Sequence, residues 1–167
     1  LRHPIKRIIS NMVFQAYRPS DIMQWARQDS KAVRFYGGTP IVDNYYIRVL
    51  NGPDVYFAPL GSIRREHLER AKEILSKFEI VMTLEDWART SRQLVAKLGM
   101  KEKDVNRIEN TRKNAAGEYR FNGREVEKPL DDEQVLELTI MNALDIELFE
   151  FASQLSLALT HNIPFHP

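Results

Sequence analysis

Apolar residues recur every three or four positions along most of this chain, which is the spacing of one buried helix face. The first such stretch predicts a helix over 4–17 that begins at Pro4, a residue suited to the first helical position, and ends before Pro19. Its buried face is formed by Ile5, Ile8, Ile9, Met12 and Val13. Further helices are predicted over 21–28 after the N-cap Ser20, and over 41–50, 62–77, 84–98 and 133–160, the last as two helices broken near 142–145.

Two segments depart from the helical pattern. Residues 78–83 are mostly apolar and lie between two predicted helices, which predicts a short buried strand. Residues 100–129 are polar and predict a long surface loop, with a hairpin inside it as one form. A helix–strand–helix unit over 62–98 follows what resembles the end of a strand at Leu1, and this order favours an α/β sandwich with a parallel sheet. Because a helix starts almost at once and the first residue is not Met, we expect 1–167 to be one N-terminally incomplete domain that forms the helix-rich C-terminal portion of the sandwich.

The amino-acid composition argues against several classes of protein. The chain has 167 residues, enough for one domain with a core, and an ordinary apolar fraction of 43%. Charged residues make up 28%, but the net charge is only +1, so nucleic acid is not expected as a partner. The absence of cysteine excludes disulfides and thiolate metal sites. The sequence shows neither an apolar run long enough to span a membrane nor a signal peptide.

The first ten residues carry the clearest candidate chemistry. Arg2 precedes the first predicted helix, and Ser10 lies about two turns beyond His3 on the same side of it. A helix start offers free N–H groups and partial positive charge, an arginine donates two hydrogen bonds to an oxyanion, and a serine adds a hydroxyl. These groups predict a phosphate site. The alternative is a basic turn in which Arg2 and Ser10 are simply solvated.

Five segments, in the same order along the chain, resemble motifs of carbohydrate sulfotransferases. Arg2 and Ser10 have the spacing with which that family binds the 3′-phosphate of its donor, 3′-phosphoadenosine 5′-phosphosulfate (PAPS). The other four segments are 43–52 (DNYYIRVLNG, like N-x-x-x-R-x-L-x-G), 78–85 (FEIVMTLE, like F-x-x-V-G-x-T-E), 110–113 (NTRK, like N-x-x-K) and 142–152 (NALDIELFEFA, like N-x-x-D-x-x-L-Y-x-Y-A). One departure is Met82, which stands where the family often has glycine.

The resemblance covers nearly the whole chain and points to the Golgi-type branch that includes heparan and chondroitin sulfotransferases. It implies a P-loop-like three-layer sandwich that transfers a sulfuryl group from PAPS to a hydroxyl of a glycan, with no metal. Arg2 and Ser10 would then bind the donor, and Arg112 and Lys113 match the basic loop that closes over the nucleotide. Arg48 matches the helix motif and is assigned to substrate binding, with a structural ion pair as its alternative.

No catalytic residue is assigned. In the resembled family the 5′-phosphosulfate loop and the basic His or Glu usually lie before the arginine segment, and therefore before Leu1. Glu85 follows the predicted strand and is a base in principle, but it also suits the first turn of helix 84–98. The resemblance implies a Golgi-lumenal enzyme anchored through preceding sequence, with a cytoplasmic location as the alternative, and the fragment alone can be inactive.

Two other functions fit the same residues. A sulfotransferase-like module that has lost its chemistry would serve in binding or assembly. A helical interaction domain, from outside the family, would dock a partner on an apolar stripe near the C-terminus. That stripe consists of Leu136, Ile140, Leu144, Leu148, Phe151 and Leu155. Stripes of this kind are more often part of a core.

Overall fold

The computed structural model describes residues 1–15, 17–27, 38–107, 120–121, 124–125 and 130–161, and most of these are helical. The helices are α1 (Pro4–Gln15), α2 (Pro19–Ala26), α3 (Gly38–Val42), α4 (Tyr45–Asn51), α5 (Pro53–Tyr56), α6 (Arg65–Leu75), α7 (Trp87–Thr90), α8 (Arg92–Leu98), α9 (Asp132–Met141) and α10 (Ala143–His161). Residues 102–107 are also helical, inside the stretch predicted as a loop. Two short strands, β1 (Arg120–Phe121) and β2 (Arg124–Glu125), pair antiparallel.

The predicted fold class is wrong for the part of the chain that the structure describes. An α/β sandwich needs a parallel sheet, and the β1–β2 pair is the one ladder among the described residues. Residues 78–83, predicted as a strand, form none. Their backbone finds a different partner, because the buried Gln93 side chain accepts from the Val81 N–H (3.1 Å) and donates to the Val81 carbonyl (2.8 Å). A side-chain amide thus satisfies backbone groups that a neighbouring strand would satisfy in a sheet.

Two buried apolar clusters form the core. The first joins α1, α2 and α9 and consists of Ile5, Ile8, Met12, Ile22, Met23, Trp25, Ala26, Val42, Leu130 and Leu138. The second joins α4, α6 and α10 and consists of Ile47, Ile63, Leu68, Ala71, Leu75, Val81, Leu148 and Ala152. Three of the five residues on the predicted buried face of the first helix, Ile5, Ile8 and Met12, belong to the first cluster, so that prediction is confirmed. Helix α1 is thereby fixed by one face, and its other face lines the site described below.

The helix predicted over 41–50 is broken between α3 and α4. Asn44 has a φ of 49°, a left-handed conformation that asparagine tolerates better than most residues. Its N–H donates to Asn142 Oδ1 (2.9 Å), and its own Oδ1 accepts from the Asp145 N–H (3.0 Å). These bonds join the α3–α4 break to the α9–α10 break, which the sequence correctly placed near 142–145.

Other helix ends differ by a few residues from those predicted. The N-cap of α2 is Arg18, whose N–H donates to the Asp21 carboxylate (2.9 Å), so Ser20 lies inside the helix and is not its cap. The helix predicted over 84–98 is two helices, α7 and α8. Gly99 ends α8 with a φ of 64°, as a C-terminal glycine commonly does.

Candidate functional site

A pocket of about 470 Å³ lies against the face of α1 that does not enter the core. Its walls are Leu1, Arg2, Arg7, Ser10, Asn11, Phe14, Tyr46 and Leu84, and it is called here the α1 pocket. Four of these residues come from α1 itself, at positions 7, 10, 11 and 14, which is the spacing of one helix face. The structure therefore brings together Arg2 and Ser10, the two residues that the sequence assigned to a phosphate.

The backbone of Arg2 is held in place from α4. Its N–H donates to the Tyr46 hydroxyl at 3.0 Å, across 44 residues of chain. The Arg2 guanidinium, the Ser10 hydroxyl and the Asn11 amide make no hydrogen bond or ion pair with other described residues. Their donors are consequently available to a ligand in the α1 pocket.

Arg7 is the pocket residue that sequence reasoning missed. Its guanidinium lies over the Tyr45 ring, with Cζ 4.4 Å from the ring centroid, and its Nη2 donates to the Ile41 carbonyl. Its Nε is buried and has no hydrogen-bond partner within the described segments. Burial lowers the Arg7 pKa, but an arginine stays protonated at neutral pH. The available signal was its spacing of three residues from Ser10.

Residues 82–85 lie beside the Leu1 end of the pocket. The Leu1 nitrogen donates to the Met82 carbonyl (2.6 Å), and the Leu84 N–H donates to the Leu1 carbonyl (2.8 Å). Glu85 then places Oε1 3.0 Å from the His3 N–H, just before α1. Glu85 lies before α7 and outside the helices that the structure describes, so it is not in the first turn of a helix as one alternative predicted. Its carboxylate caps the start of α1 instead.

Behind the pocket, Asp145 holds the start of α4. Its two carboxylate oxygens accept from the N–H groups of Tyr46 (2.9 Å) and Ile47 (3.0 Å). Burial raises the pKa of Asp145 to about 6, against the opposing effects of those hydrogen bonds and of the Arg7 charge. Burial also raises the pKa of the Tyr46 hydroxyl, the group that accepts from Arg2. Asp145 thus fixes Tyr46, and Tyr46 fixes the backbone of Arg2.

Arg48, assigned to substrate binding, lies inside the protein. Its side chain is fully buried, and its Nη2 pairs with Asp43 Oδ2 at 2.5 Å. Its Nη2 also donates to the Pro59 carbonyl, and its Nε donates to the Asp43 carbonyl. Its Nη1 donates to the carbonyls of Val55, Tyr56 and Ala58. This geometry favours the alternative, a structural ion pair that binds the 55–59 turn to α4. Arg112 and Lys113 lie outside the described residues.

The apolar stripe near the C-terminus is divided between core and surface. Its members on α10 pack in or against the second core cluster, as is usual for such a stripe. Its members on α9 are exposed, Leu136 to 60% and Ile140 to 68%. The exposed pair is too small a surface to define a partner.

None of the helices that can be followed is both long and apolar enough to cross a bilayer. The described side chains contain no cluster of three histidine or carboxylate ligands suited to a metal ion. Both findings apply to the described part of the chain alone.

Comparison with protein-family models, with curated proteins and with solved structures finds no match to this chain. The resemblance to sulfotransferases therefore rests on the five sequence segments. The α1 pocket adds Arg7 and Asn11 to Arg2 and Ser10, and neither Arg7 nor Asn11 was assigned from the motifs.

Proposed function

We propose that the chain is part of a PAPS-dependent sulfotransferase and that the α1 pocket binds the 3′-phosphate of the donor. The observation that carries the proposal is the convergence of Arg2 and Ser10, 8 positions apart in sequence, on one pocket that also contains Arg7. The proposal depends on this pocket and on the sequence segments. It does not depend on the predicted sheet, which the described residues lack.

The polar groups of the pocket suit a phosphate dianion. Arg2 supplies a charged, bidentate donor, Ser10 supplies a hydroxyl, and Asn11 supplies an amide. Arg7 adds a second positive charge that is held rigidly by Tyr45 and the Ile41 carbonyl. Because Arg7 is already held, it needs little ordering when the ligand binds, whereas the unbonded Arg2 side chain must still be ordered.

The part played by these residues in the reaction is to hold the donor. In the proposed transfer, an acceptor hydroxyl gives its proton to a general base and attacks the donor sulfur. The new O–S bond forms while the S–O bond to the nucleotide phosphate breaks, which releases PAP. A 3′-phosphate fixed by Arg2 and Ser10 orients that sulfur for in-line attack. A glycan acceptor and a Golgi-lumenal location complete the proposal, as the resemblance implies.

The test is calorimetric titration with 3′-phosphoadenosine 5′-phosphate (PAP), the donor product. Arg2→Ala should weaken binding by about tenfold or more, and Ser10→Ala by about threefold to tenfold, because a charged and a neutral hydrogen bond are lost. Lys6→Ala is the matched control, since it removes a positive charge from an exposed position on α1 outside the pocket. Failure of the folded chain to bind PAP, or equal effects of Arg2→Ala and Lys6→Ala, would contradict the proposal.

The second candidate is a sulfotransferase-like module without chemistry. It shares the α1 pocket and therefore predicts the same PAP binding. The two are separated by sulfuryl transfer from PAPS to a glycan acceptor, measured on the full-length protein. PAP binding without transfer would favour the inactive module.

A further inference from the structure

Tyr46 brings a hydroxyl from α4 to the wall of the α1 pocket. It lines this pocket together with Arg2 and Ser10, and its oxygen accepts from the Arg2 N–H at 3.0 Å. The backbone of Tyr46 is fixed as well, because its own N–H donates to Asp145 Oδ2 at 2.9 Å. Its ring packs edge-to-face against that of Tyr45, with the centroids 5.7 Å apart. The hydroxyl is therefore held in place before a ligand arrives.

The hydrogen of this hydroxyl is not used by the contacts that hold Tyr46. A phenol oxygen carries one hydrogen and also accepts through its lone pairs. The Arg2 N–H occupies a lone pair, so the hydrogen points away from the Arg2 nitrogen. Across the residues that the structure describes, no group accepts a hydrogen bond from this hydroxyl. It can consequently donate to an acceptor inside the α1 pocket.

The surroundings of Tyr46 keep its hydroxyl protonated. Burial raises the pKa of this group, and the negative charges of Asp145 and Glu85 act in the same direction. The hydrogen bond from Arg2 and the positive charge of Arg7 oppose them without reversing the shift. The phenol is therefore neutral at physiological pH and retains its hydrogen. A phosphate dianion has only acceptor oxygens, and O–H···O⁻ hydrogen bonds are short and strong.

We infer that the Tyr46 hydroxyl donates a hydrogen bond to the 3′-phosphate, beside the Arg2 guanidinium and the Ser10 hydroxyl. The inference rests on the proposed function, because it takes the 3′-phosphate to lie at Arg2 and Ser10. Tyr46 stands at an unspecified position of the N-x-x-x-R-x-L-x-G motif, so the resemblance does not assign it. Its oxygen then accepts from the Arg2 N–H while its hydrogen is donated to the phosphate. Hydrogen bonds in series strengthen one another, so the bound anion also tightens the contact between Tyr46 and Arg2.

The experiment changes the acidity of the hydroxyl as well as its presence, and PAP binding is measured by calorimetry. Tyr46→Phe should weaken binding by about tenfold, because a hydrogen bond to a charged group is lost. Replacing Tyr46 with 3-fluorotyrosine lowers the phenol pKa, which makes the hydroxyl a better donor and a poorer acceptor. This variant should bind PAP about twofold more tightly at about pH 7, because the O–H···O⁻ bond gains strength. If Tyr46→Phe fails to fold by circular dichroism, the fluorinated variant alone decides.

The same two replacements at Tyr45 are the matched controls, since this neighbouring tyrosine is not a wall of the pocket and Tyr45→Phe keeps the ring beneath Arg7. If the wild type binds PAP, Arg2→Ala weakens it and Tyr46→Phe equals Tyr45→Phe, the inference fails while the proposed function stands. Unchanged or weaker binding by the fluorinated Tyr46 variant would also overturn it, because the hydroxyl would then act only as the acceptor for Arg2. Failure of the wild-type chain to bind PAP overturns both proposals.

Discussion

At the scale of single residues, charged side chains of both signs lie at or near the α1 pocket. Arg2 and Arg7 bring two positive charges to it. Glu85 brings a negative charge to the start of α1, where its carboxylate accepts from the His3 N–H. Glu85 is also close enough to Tyr46 for its charge to affect that hydroxyl. An anion entering the pocket is therefore attracted by the arginines and repelled by this carboxylate.

Removing the charge of Glu85 should strengthen anion binding. Glu85→Gln keeps an oxygen that accepts from His3, so the start of α1 is preserved while the repulsion is lost. We expect PAP affinity to rise by about twofold to fivefold at low salt, and by less at high salt because the charges are then screened. Calorimetry at two salt concentrations measures this. Glu66→Gln, on the exposed side of α6, is the control; an unchanged or weaker affinity in Glu85→Gln would show that its charge does not face the bound anion.

At the residue scale, the sequence indicated proximity where the relevant contacts are local. Arg2 and Ser10 lie on one short helix and its entry, so their spacing alone placed them together. Arg7 was missed because what fixes it, the rings of Tyr45 and Tyr46, comes from a helix that lies 38 residues further along the chain. Arg48 was assigned to substrate binding for a related reason. The backbone carbonyls that accept from it, such as those of Val55 and Ala58, cannot be predicted from the spacing of apolar residues.

At the scale of elements, the sequence predicted most helices correctly, but the strand predicted over 78–83 is absent from the described structure. The buried face of α1 and the end of a helix at Leu98 are local signals, and both were predicted correctly. Residues 78–83 have the composition of a strand, but the Gln93 side chain from α8 forms hydrogen bonds with the backbone N–H and carbonyl of Val81. Strand formation depends on a distant partner, and a glutamine side chain that acts as that partner has no signature in the local pattern.

The start of α4 should be sensitive to pH through Asp145. Its folded pKa of about 6 lies above the ordinary aspartate value of 3.8, so between these values the folded state holds a proton that the unfolded state has lost. Stability from this group is therefore present below about pH 4 and is lost as pH rises through 6. The expected loss is about 3 kcal/mol in the free energy of unfolding.

Urea unfolding between pH 4 and 7 measures this effect against Asp145→Asn. The variant lacks the titrating group, so the wild type should lose stability relative to it as pH rises. The variant itself is expected to be less stable by about 1–3 kcal/mol at low pH, because its amide replaces one acceptor of a backbone N–H with a donor. Asp104→Asn, at an exposed position, should parallel the wild type. A constant difference between wild type and Asp145→Asn across this range would refute the proposed titration.

At the scale of the whole molecule, two apolar clusters are joined by a buried polar network. Asn44, Asn142 and Asp145 connect the break between α3 and α4 to the break between α9 and α10. Asp145 then fixes Tyr46, and Tyr46 fixes Arg2 at the pocket. The sequence showed these polar residues within helical segments, but their roles depend on contacts about 100 residues apart. The predicted sandwich failed at this same scale, because sheet topology is a property of the complete set of pairings.

The central claim, that a phosphate-bearing nucleotide binds the α1 pocket, is tested most directly by NMR. An ¹⁵N-labelled chain would be titrated with PAP while backbone amide shifts are followed. We predict saturable shifts that are largest at Arg2, Ser10 and Tyr46 and negligible at the exposed Leu136 and Ile140 of α9. A folded chain that shows no shifts, or saturable shifts that are largest on α9, would contradict the claim.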